Sequence, residues 1–414
     1  MSSAMRTVEE QLAHVLAHVV ATPAEDLPLA DARGRTLHAA ILAAVDIPVF
    51  DNSAMDGFAV RHADVADASP DAPARLRVVA DLPAGTDLDP TLAAGEAARI
   101  MTGSPVPASA DAIVPFEDTE GGLADSLDEI AVLRAPAAPG AHIRRRAADA
   151  AVGAEVVPAG ALLGPLQLAA AAAAGVARAR VARHPRVAVV STGTELVAPG
   201  EPLRRGQIPE SNGLLLAALA AEAGAEIVLR TSVDDTDAAF LATLDRAAAA
   251  GAEIVITSGG VSAGAFEVVK NVLQGSDVAF TKVAMQPGKP QAFGRLAHGG
   301  LLFGLPGNPV SSAVSFEVFV RPALLRMQGR TGIHRPILRL PAASGWRTPP
   351  GRRQYLPAAI DRSDPARWSV GPATAGGSGS HLAGGLARAE AYAIVPAETV
   401  AVEPGDLVDV MLIP

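Results

Sequence analysis

The chain has 414 residues, is 49% hydrophobic and carries a formal net charge of −10, which implies several domains and argues against general nucleic-acid binding. Cysteine is absent, excluding disulfides, a thiolate metal site and a cysteine nucleophile. The longest uncharged run, residues 156–177, is mostly alanine and is broken by Pro158, Gly160, Gly164, Pro165 and Gly175, so no membrane span is expected. No secretory pattern opens the sequence, and the expectation is a soluble, cytoplasmic protein.

Thr7-Val8-Glu9-Glu10 has the form of a capping box. Val8, Leu12, Val15, Leu16 and Val19 then recur at helical spacing, predicting an amphipathic helix of about four turns. Residues 27–49 read as mixed helix and strand. Asp51-Asn52-Ser53 is turn chemistry, and Phe58-Ala59-Val60 alternates like a strand. Asp56, just before Gly57, reads on residues alone as the acid of an Asx turn.

Residues 61–140 are β-rich, with strands expected at 76–80, 97–101 and 112–115. His142-Ile143-Arg144-Arg145-Arg146 is the sharpest basic cluster. Its guanidinium forks suit phosphate or carboxylate, although a solvated charge run is the commoner outcome. In a strand, Arg144 and Arg146 would share a face and Arg145 would point away. Short strands are expected over 149–160 and a helix over 164–174, ended by Gly175.

An α/β unit follows. Arg186-Val187-Ala188-Val189-Val190 runs into Ser191-Thr192-Gly193-Thr194-Glu195-Leu196. Ser211-Asn212 forms an N-cap pair for a helix carrying Leu214, Leu215, Leu216, Leu219 and Ala220. A strand over 226–230 ends at the acidic loop Asp234-Asp235, and a helix over about 237–250 precedes the strand 253–257. That strand enters Ser258-Gly259-Gly260-Val261-Ser262-Ala263-Gly264. A last strand, 301–304, enters Leu305-Pro306-Gly307-Asn308-Pro309. The alternation is doubly wound, and its three glycine loops should gather at the carboxyl ends of the strands. Helix N-termini behind such loops suit anions.

A helix over 311–328 leads through Gly329-Arg330-Thr331-Gly332 into strands at 337–340, 354–358, 391–395 and 407–412, which fit a small β barrel. It carries Gly351-Arg352-Arg353 and a Gly/Ser run with Ser380.

No P-loop, no dinucleotide fingerprint and no zinc spacing is present. Gly260-Val261-Ser262-Ala263-Gly264 matches a nucleophile elbow, but Ser258 and Gly259 intervene after the strand, and a serine in a glycine loop is the better reading. The remaining oxygen ligands near glycine loops are Glu195, Asp234, Asp235 and Glu267, which suit magnesium or serve simply as helix-start acids. Lys282 and Lys289 flank the Pro287-Gly288 turn and can neutralise charge on phosphate.

Six motifs occur in order: Asp51-Asn52-Ser53-Ala54-Met55-Asp56-Gly57, Arg99-Ile100-Met101-Thr102-Gly103, Ser191-Thr192-Gly193-Thr194-Glu195-Leu196, Ser258-Gly259-Gly260-Val261-Ser262, Pro287-Gly288-Lys289-Pro290 and Leu305-Pro306-Gly307-Asn308-Pro309-Val310-Ser311. Together they resemble the molybdopterin molybdenumtransferases, the family of MoeA and the gephyrin E domain. The resemblance implies a multidomain α/β homodimer. Its molybdopterin-binding α/β domain would comprise 1–23 and 181–328, and a small α+β linking domain 24–44 and 141–180. A β-rich insert domain would span 45–140 and a C-terminal β barrel 333–414. It also implies insertion of molybdenum from molybdate into adenylylated molybdopterin, with release of AMP and with magnesium or a similar divalent ion. Other enzymes of molybdenum cofactor synthesis are candidate partners.

The resemblance assigns Asp56 and Thr102 to a cleft across the dimer interface, joined by Glu195, Asp235 and Lys282. Arg144 and Arg146 would hold molybdate or phosphate. Ser191, Thr192, Gly193, Ser258, Gly259, Gly260 and Lys289 would embrace the phosphates. Pro306 and Pro309 shape the loop beside them, and Arg352 and Ser380 would close the site. Glu195, Asp235 and Glu267 are the expected metal ligands. This chain departs from the family at Ala147-Ala148 (often Gly-Glu), Glu267 (usually Asp), Gln286 (often Lys) and Phe58 (often Tyr). Two other readings stay open: adenylyl transfer from ATP to molybdopterin, whose small enzymes lack the insert and barrel, and a non-catalytic dimeric scaffold that retains the pocket.

Overall fold

Thr7 opens the first helix, α1 (Val8–Ala17). Its hydroxyl accepts from the Glu10 amide at 3.1 Å, and the Glu10 carboxylate accepts from the Thr7 amide at 2.8 Å, the reciprocal pair the sequence signals. The helix is shorter than its apolar spacing suggests. His18 caps it, and the β-branched Val19-Val20 leads away toward Pro23, whose preceding residue disfavours helix. The structure is a computed structural model and describes residues 5–122, 127–261, 268–374 and 383–413.

Ala24–Pro28 pairs antiparallel with Arg178–Ala182, and Ile41–Leu42 with Glu155–Val157. With α2 (Pro165–Ala173), these segments, distant in sequence, bury Leu37, Leu163 and Val181 in one small core. Between them lies a five-stranded sheet of β1 (Gly57–Val60), β2 (Ala74–Leu82), β3 (Glu96–Ile100), β4 (Ala112–Pro115) and β5 (Glu129–Val132), in the order β4-β1-β3-β2-β5. Phe58 is fully buried there, edge-on to Phe116 at 5.2 Å. A tyrosine hydroxyl at that position would need a partner inside an apolar core, which accounts for Phe58.

The basic run does not continue as a strand. Ile143–Arg144 pairs with Asn52–Ser53, and the chain then turns. Arg145 donates to Asp51 at 2.6 Å, the Arg146 amide donates to Asp51 at 2.7 Å, and the Arg146 guanidinium pairs with Asp46. Arg144 and Arg146 therefore do not sit side by side on a strand, because Asp46 and Asp51 claim the run from across the loop. Hydrogen bonds from the backbone, of Val152 to Asp46 and of Arg146 to Asp51, together with these arginines, hold both carboxyls below the usual aspartate range. Ala147 follows at φ 59, in the left-handed region where a Cβ is costly. Ala147→Gly is expected to raise stability by up to about 1 kcal/mol, read as a higher thermal midpoint.

The α/β layer is built on β6 (Arg186–Thr192), α3 (Asn212–Glu222), β7 (Glu226–Val233), α4 (Asp237–Ala249), β8 (Ile254–Ser258), α5 (Val268–Leu273), β9 (Val278–Lys282), β10 (Met285–Gln286), β11 (Pro290–Arg295) and β12 (Leu301–Leu305). The sheet runs β7-β6-β8-β12-β11-β9. Its first four strands are parallel and the last two join antiparallel. β8 and β12 are buried throughout, as strands covered on both faces must be.

One long helical segment follows: α6 (Pro309–Ser315), a π-helical turn (Phe316–Val320) and α7 (Arg321–Met327). Pro322 explains the turn, since it has no N–H for the Val318 carbonyl and its ring crowds that oxygen. Glu317, on that turn, is 4% exposed. It accepts from Arg335 at 2.9 and 3.0 Å, and Arg335 also donates to Glu222 at 3.1 Å.

The C-terminal sheet comprises β13 (Ile337–Pro341), β14 (Arg353–Asp361), β15 (Ser369–Pro372), β16 (Ala391–Val395) and β17 (Leu407–Leu412). Its order is β10-β14-β16-β17-β13, with β15 also on β14. Ala342 bridges Val370, and the Ala343 amide donates to the Val370 carbonyl at 2.8 Å, so β13 and β15 approach each other. β10 thus pairs in parallel with β14, Met285 opposite Arg353 and Gln286 opposite Gln354. Tyr355, Tyr392 and Met411 join the main α/β core with Val8, Phe316 and Phe319. Among the described residues no helix is long and apolar enough to cross a membrane.

Candidate active site

The carboxyl ends of β6, β8 and β12 open onto one cleft of about 580 Å³, within the range of small-molecule sites. Ser191, Thr192, Gly193 and Glu195 line it from the β6 loop, and Ser258, Gly259 and Gly260 from the β8 loop. Pro306, Gly307 and Pro309 line it from the β12 loop, and Asp235 from the end of β7. Gln286, Pro287, Gly288 and Lys289 form one wall, and Glu210 and Asn212 enter at the start of α3.

Gly259 has φ +95, and a Cβ there would lie 2.7 Å from the Thr192 carbonyl oxygen and 2.8 Å from its hydroxyl. The β6 and β8 loops approach this closely only because the side chain is absent. Gly259→Ala is expected to force them apart and weaken substrate binding about tenfold, measured by titration calorimetry.

Asp235 accepts from the Thr194 amide and the Thr194 hydroxyl, both at 3.2 Å. Glu195 is exposed and packs against Gly193. Among the described residues there is no cluster of three metal-ligating side chains, and Glu267 and Ser380 lie outside the described residues, as does Ser262. Arg352 donates to Gln286 Oε1 at 2.6 Å. A guanidinium can only donate, so the Gln286 amide nitrogen is left as a donor at the cleft wall. Arg352 does not itself line the cleft and meets it only through this contact with Gln286.

Lys282 is exposed at the end of β9 and, unlike Lys289, does not line this cleft. Nor do Asp56, Thr102, Arg144 and Arg146. These gather elsewhere in the chain, on loops tied together by bonds from Ala54 to the His142 carbonyl (2.8 Å) and from Gly103 to the Ser53 carbonyl (2.9 Å). Asp56 accepts from the Thr102 amide at 2.6 Å, and that bond holds its carboxyl below the usual aspartate range. With a depressed folded-state pKa, its stabilising contribution is present above the ordinary aspartate value and is lost as pH falls through the lowered one.

Sequence reasoning missed Glu210. The Ser211 side chain makes no cap bond. Instead the Glu210 carboxylate accepts from the Gly213 amide at 2.6 Å and from the Ser191 hydroxyl at 2.8 Å. An acid just before a Ser-Asn pair was the available signal.

Three family models match: the MoeA N-terminal region (domain I and II) over residues 6–175, a probable molybdopterin binding domain over 188–326, and the MoeA C-terminal region (domain IV) over 339–413. Molybdopterin molybdenumtransferase 2 of Mycobacterium tuberculosis is 45% identical over 375 residues, 89% of this chain and 91% of that one. Molybdopterin molybdenumtransferase 1 of the same organism is 34% identical over 99% of both. A solved molybdopterin biosynthesis MoeA structure from Pyrococcus horikoshii superposes with a TM-score of 0.84 at 26% identity, covering 99% of this chain and 100% of that one.

Proposed function

The chain belongs to the molybdopterin molybdenumtransferase family, and on that premise we propose that it inserts molybdenum from molybdate into adenylylated molybdopterin, releasing AMP. The observation that carries this reading is the convergence of three glycine-bearing strand ends, the carboxylates of Glu195 and Asp235, and Lys289 on one cleft.

In this reading the backbone N–H groups of the 258–260 loop and of Thr192-Gly193 receive the phosphates, and Lys289 offsets their charge. Glu195 and Asp235 are hard oxygen donors suited to magnesium. Bound there, magnesium would neutralise charge on the pyrophosphate link. The Thr194 amide and hydroxyl hold the Asp235 carboxylate in place at the mouth of the cleft. The substrate's two dithiolene thiols bond molybdenum as one molybdate oxygen leaves as water with their two protons, and a water molecule adds across the pyrophosphate link to release AMP.

Asp56, Thr102 and Arg144 reach this chemistry, we propose, from a second copy in a cytoplasmic homodimer. Mixing Asp56→Asn and Asp235→Asn chains tests the shared site. Each variant alone should be inactive. Random mixing makes half the dimers mixed, each with one intact site of two, so about a quarter of parental activity should return. No recovery in verified mixed dimers would refute the shared arrangement.

The direct test is assembly from purified adenylylated molybdopterin, molybdate and magnesium. AMP should appear only when molybdate is present. Nucleotide consumption from ATP and molybdopterin alone would favour adenylyl transfer instead, and inactivity of a well-folded protein would favour a scaffold.

A further inference from the structure

The start of α3 ties together all three loops that floor the cleft, and it does so with its acceptors left over. The Asn212 amide nitrogen donates to the Gly307 carbonyl at 2.6 Å and to the Ser258 hydroxyl at 2.7 Å. A carbonyl only accepts, so the orientation of the amide is fixed. The Ser312 hydroxyl gives its proton to the Pro306 carbonyl at 2.5 Å, so the Ser258 hydroxyl must give its own to Ser312, 3.3 Å away. Both Asn212 N–H groups are thereby used. Its Oδ1 is buried with no hydrogen-bond donor.

Beside it, Glu210 takes the Ser191 hydroxyl and the Gly213 amide on the same oxygen, Oε1. Among the described residues no donor reaches its Oε2. The carboxylate also occupies the amide that would otherwise bind an anion at the start of α3, and repels phosphate from that corner.

A corner that offers acceptors and excludes anions fits a ligand edge made of N–H groups. Resting on the function proposed above, we propose that Glu210, with Asn212 beside it, reads the pyrimidinone edge of the pterin. The ring N3–H and the 2-amino group lie side by side there, and a carboxylate oxygen accepts from such donors with charge assistance. The pterin then lies against α3, and the phosphates point toward the 258–260 loop and Lys289. Glu210 is a specificity-determining residue that fixes which way the substrate lies.

Glu210→Gln tests this in the full-length protein. The glutamine Oε1 still accepts from Gly213 and Ser191, so the thermal midpoint should hold. Removing a negative charge would by itself tighten binding of a polyanion. The proposal requires the opposite: about tenfold to hundredfold weaker binding of adenylylated molybdopterin, because an amide N–H₂ now faces N–H donors. AMP, which has no pterin edge, should not bind more weakly. An adenylylated analogue lacking the 2-amino group should lose most of the difference between parent and variant. Unchanged or tighter binding of adenylylated molybdopterin by the variant overturns the inference and leaves the proposed function standing. A parental protein that neither binds that compound nor releases AMP from it removes the function itself.

Discussion

Asp235→Asn is expected to slow molybdate-dependent AMP release by about two to three orders of magnitude, the equivalent of roughly 3–4 kcal/mol of transition-state stabilisation. The substitution is nearly isosteric. The asparagine carbonyl can still accept from the Thr194 amide and hydroxyl that hold Asp235 now, so the loop should keep its shape. What disappears is the charge, and with it the carboxylate that shares the cleft with Glu195 as a donor for a divalent ion. Single-turnover AMP release measured across a magnesium series is the assay. A variant with parental turnover at every magnesium concentration would remove Asp235 from the reaction.

Glu317→Ala should produce the largest loss of stability, about 3–5 kcal/mol. Its side chain is 2% exposed, and those of its partners Arg335 and Arg321 are 12% and 13% exposed. Burial works against the Arg335 charge, but the Glu317 and Glu222 carboxylates outweigh it and raise that guanidinium's pKa. Arg321, buried and near Arg335, is lowered, so the two cations strain against each other and Glu317 holds both. Removing the carboxylate leaves two positive charges in a dry interface. Glu222→Ala supplies the internal comparison. Its side chain is 47% exposed, and its loss should cost under about 1 kcal/mol. Urea unfolding of both variants measures the difference, and equal costs would show that the burial of Glu317 does not set its worth.

Much of this architecture was readable from local pattern. The capping box at Thr7 and the buried strands β8 and β12 with the glycines at their carboxyl ends are short-range signals, and each is present. The legible part of the cleft is therefore the part built from strand ends. Three features were not legible, because they depend on contacts that periodicity does not report. Arg145 and Arg146 looked like a free basic patch until Asp46 and Asp51 closed on them from about a hundred positions away. Glu210 was passed over, although its partners Ser191 and Gly213 lie near it in sequence. Gln286 looked like a lost charge until Arg352 arrived from the C-terminal sheet. Periodicity reports which face a residue takes, and it is silent on who waits there.

The pairing of β10 with β14 carries a consequence for exchange between relatives. Gln286 belongs to the cleft wall and, with Met285, also forms the edge of the C-terminal sheet, with the Arg353 amide donating to the Ala284 carbonyl at 2.9 Å. The C-terminal segment is therefore no detachable module. A chimera that grafts it from a homologue must import the 284–290 turn and the tyrosine-bearing face along with it. A transplant that ignores this seam would carry its own arginine to a wall built for another.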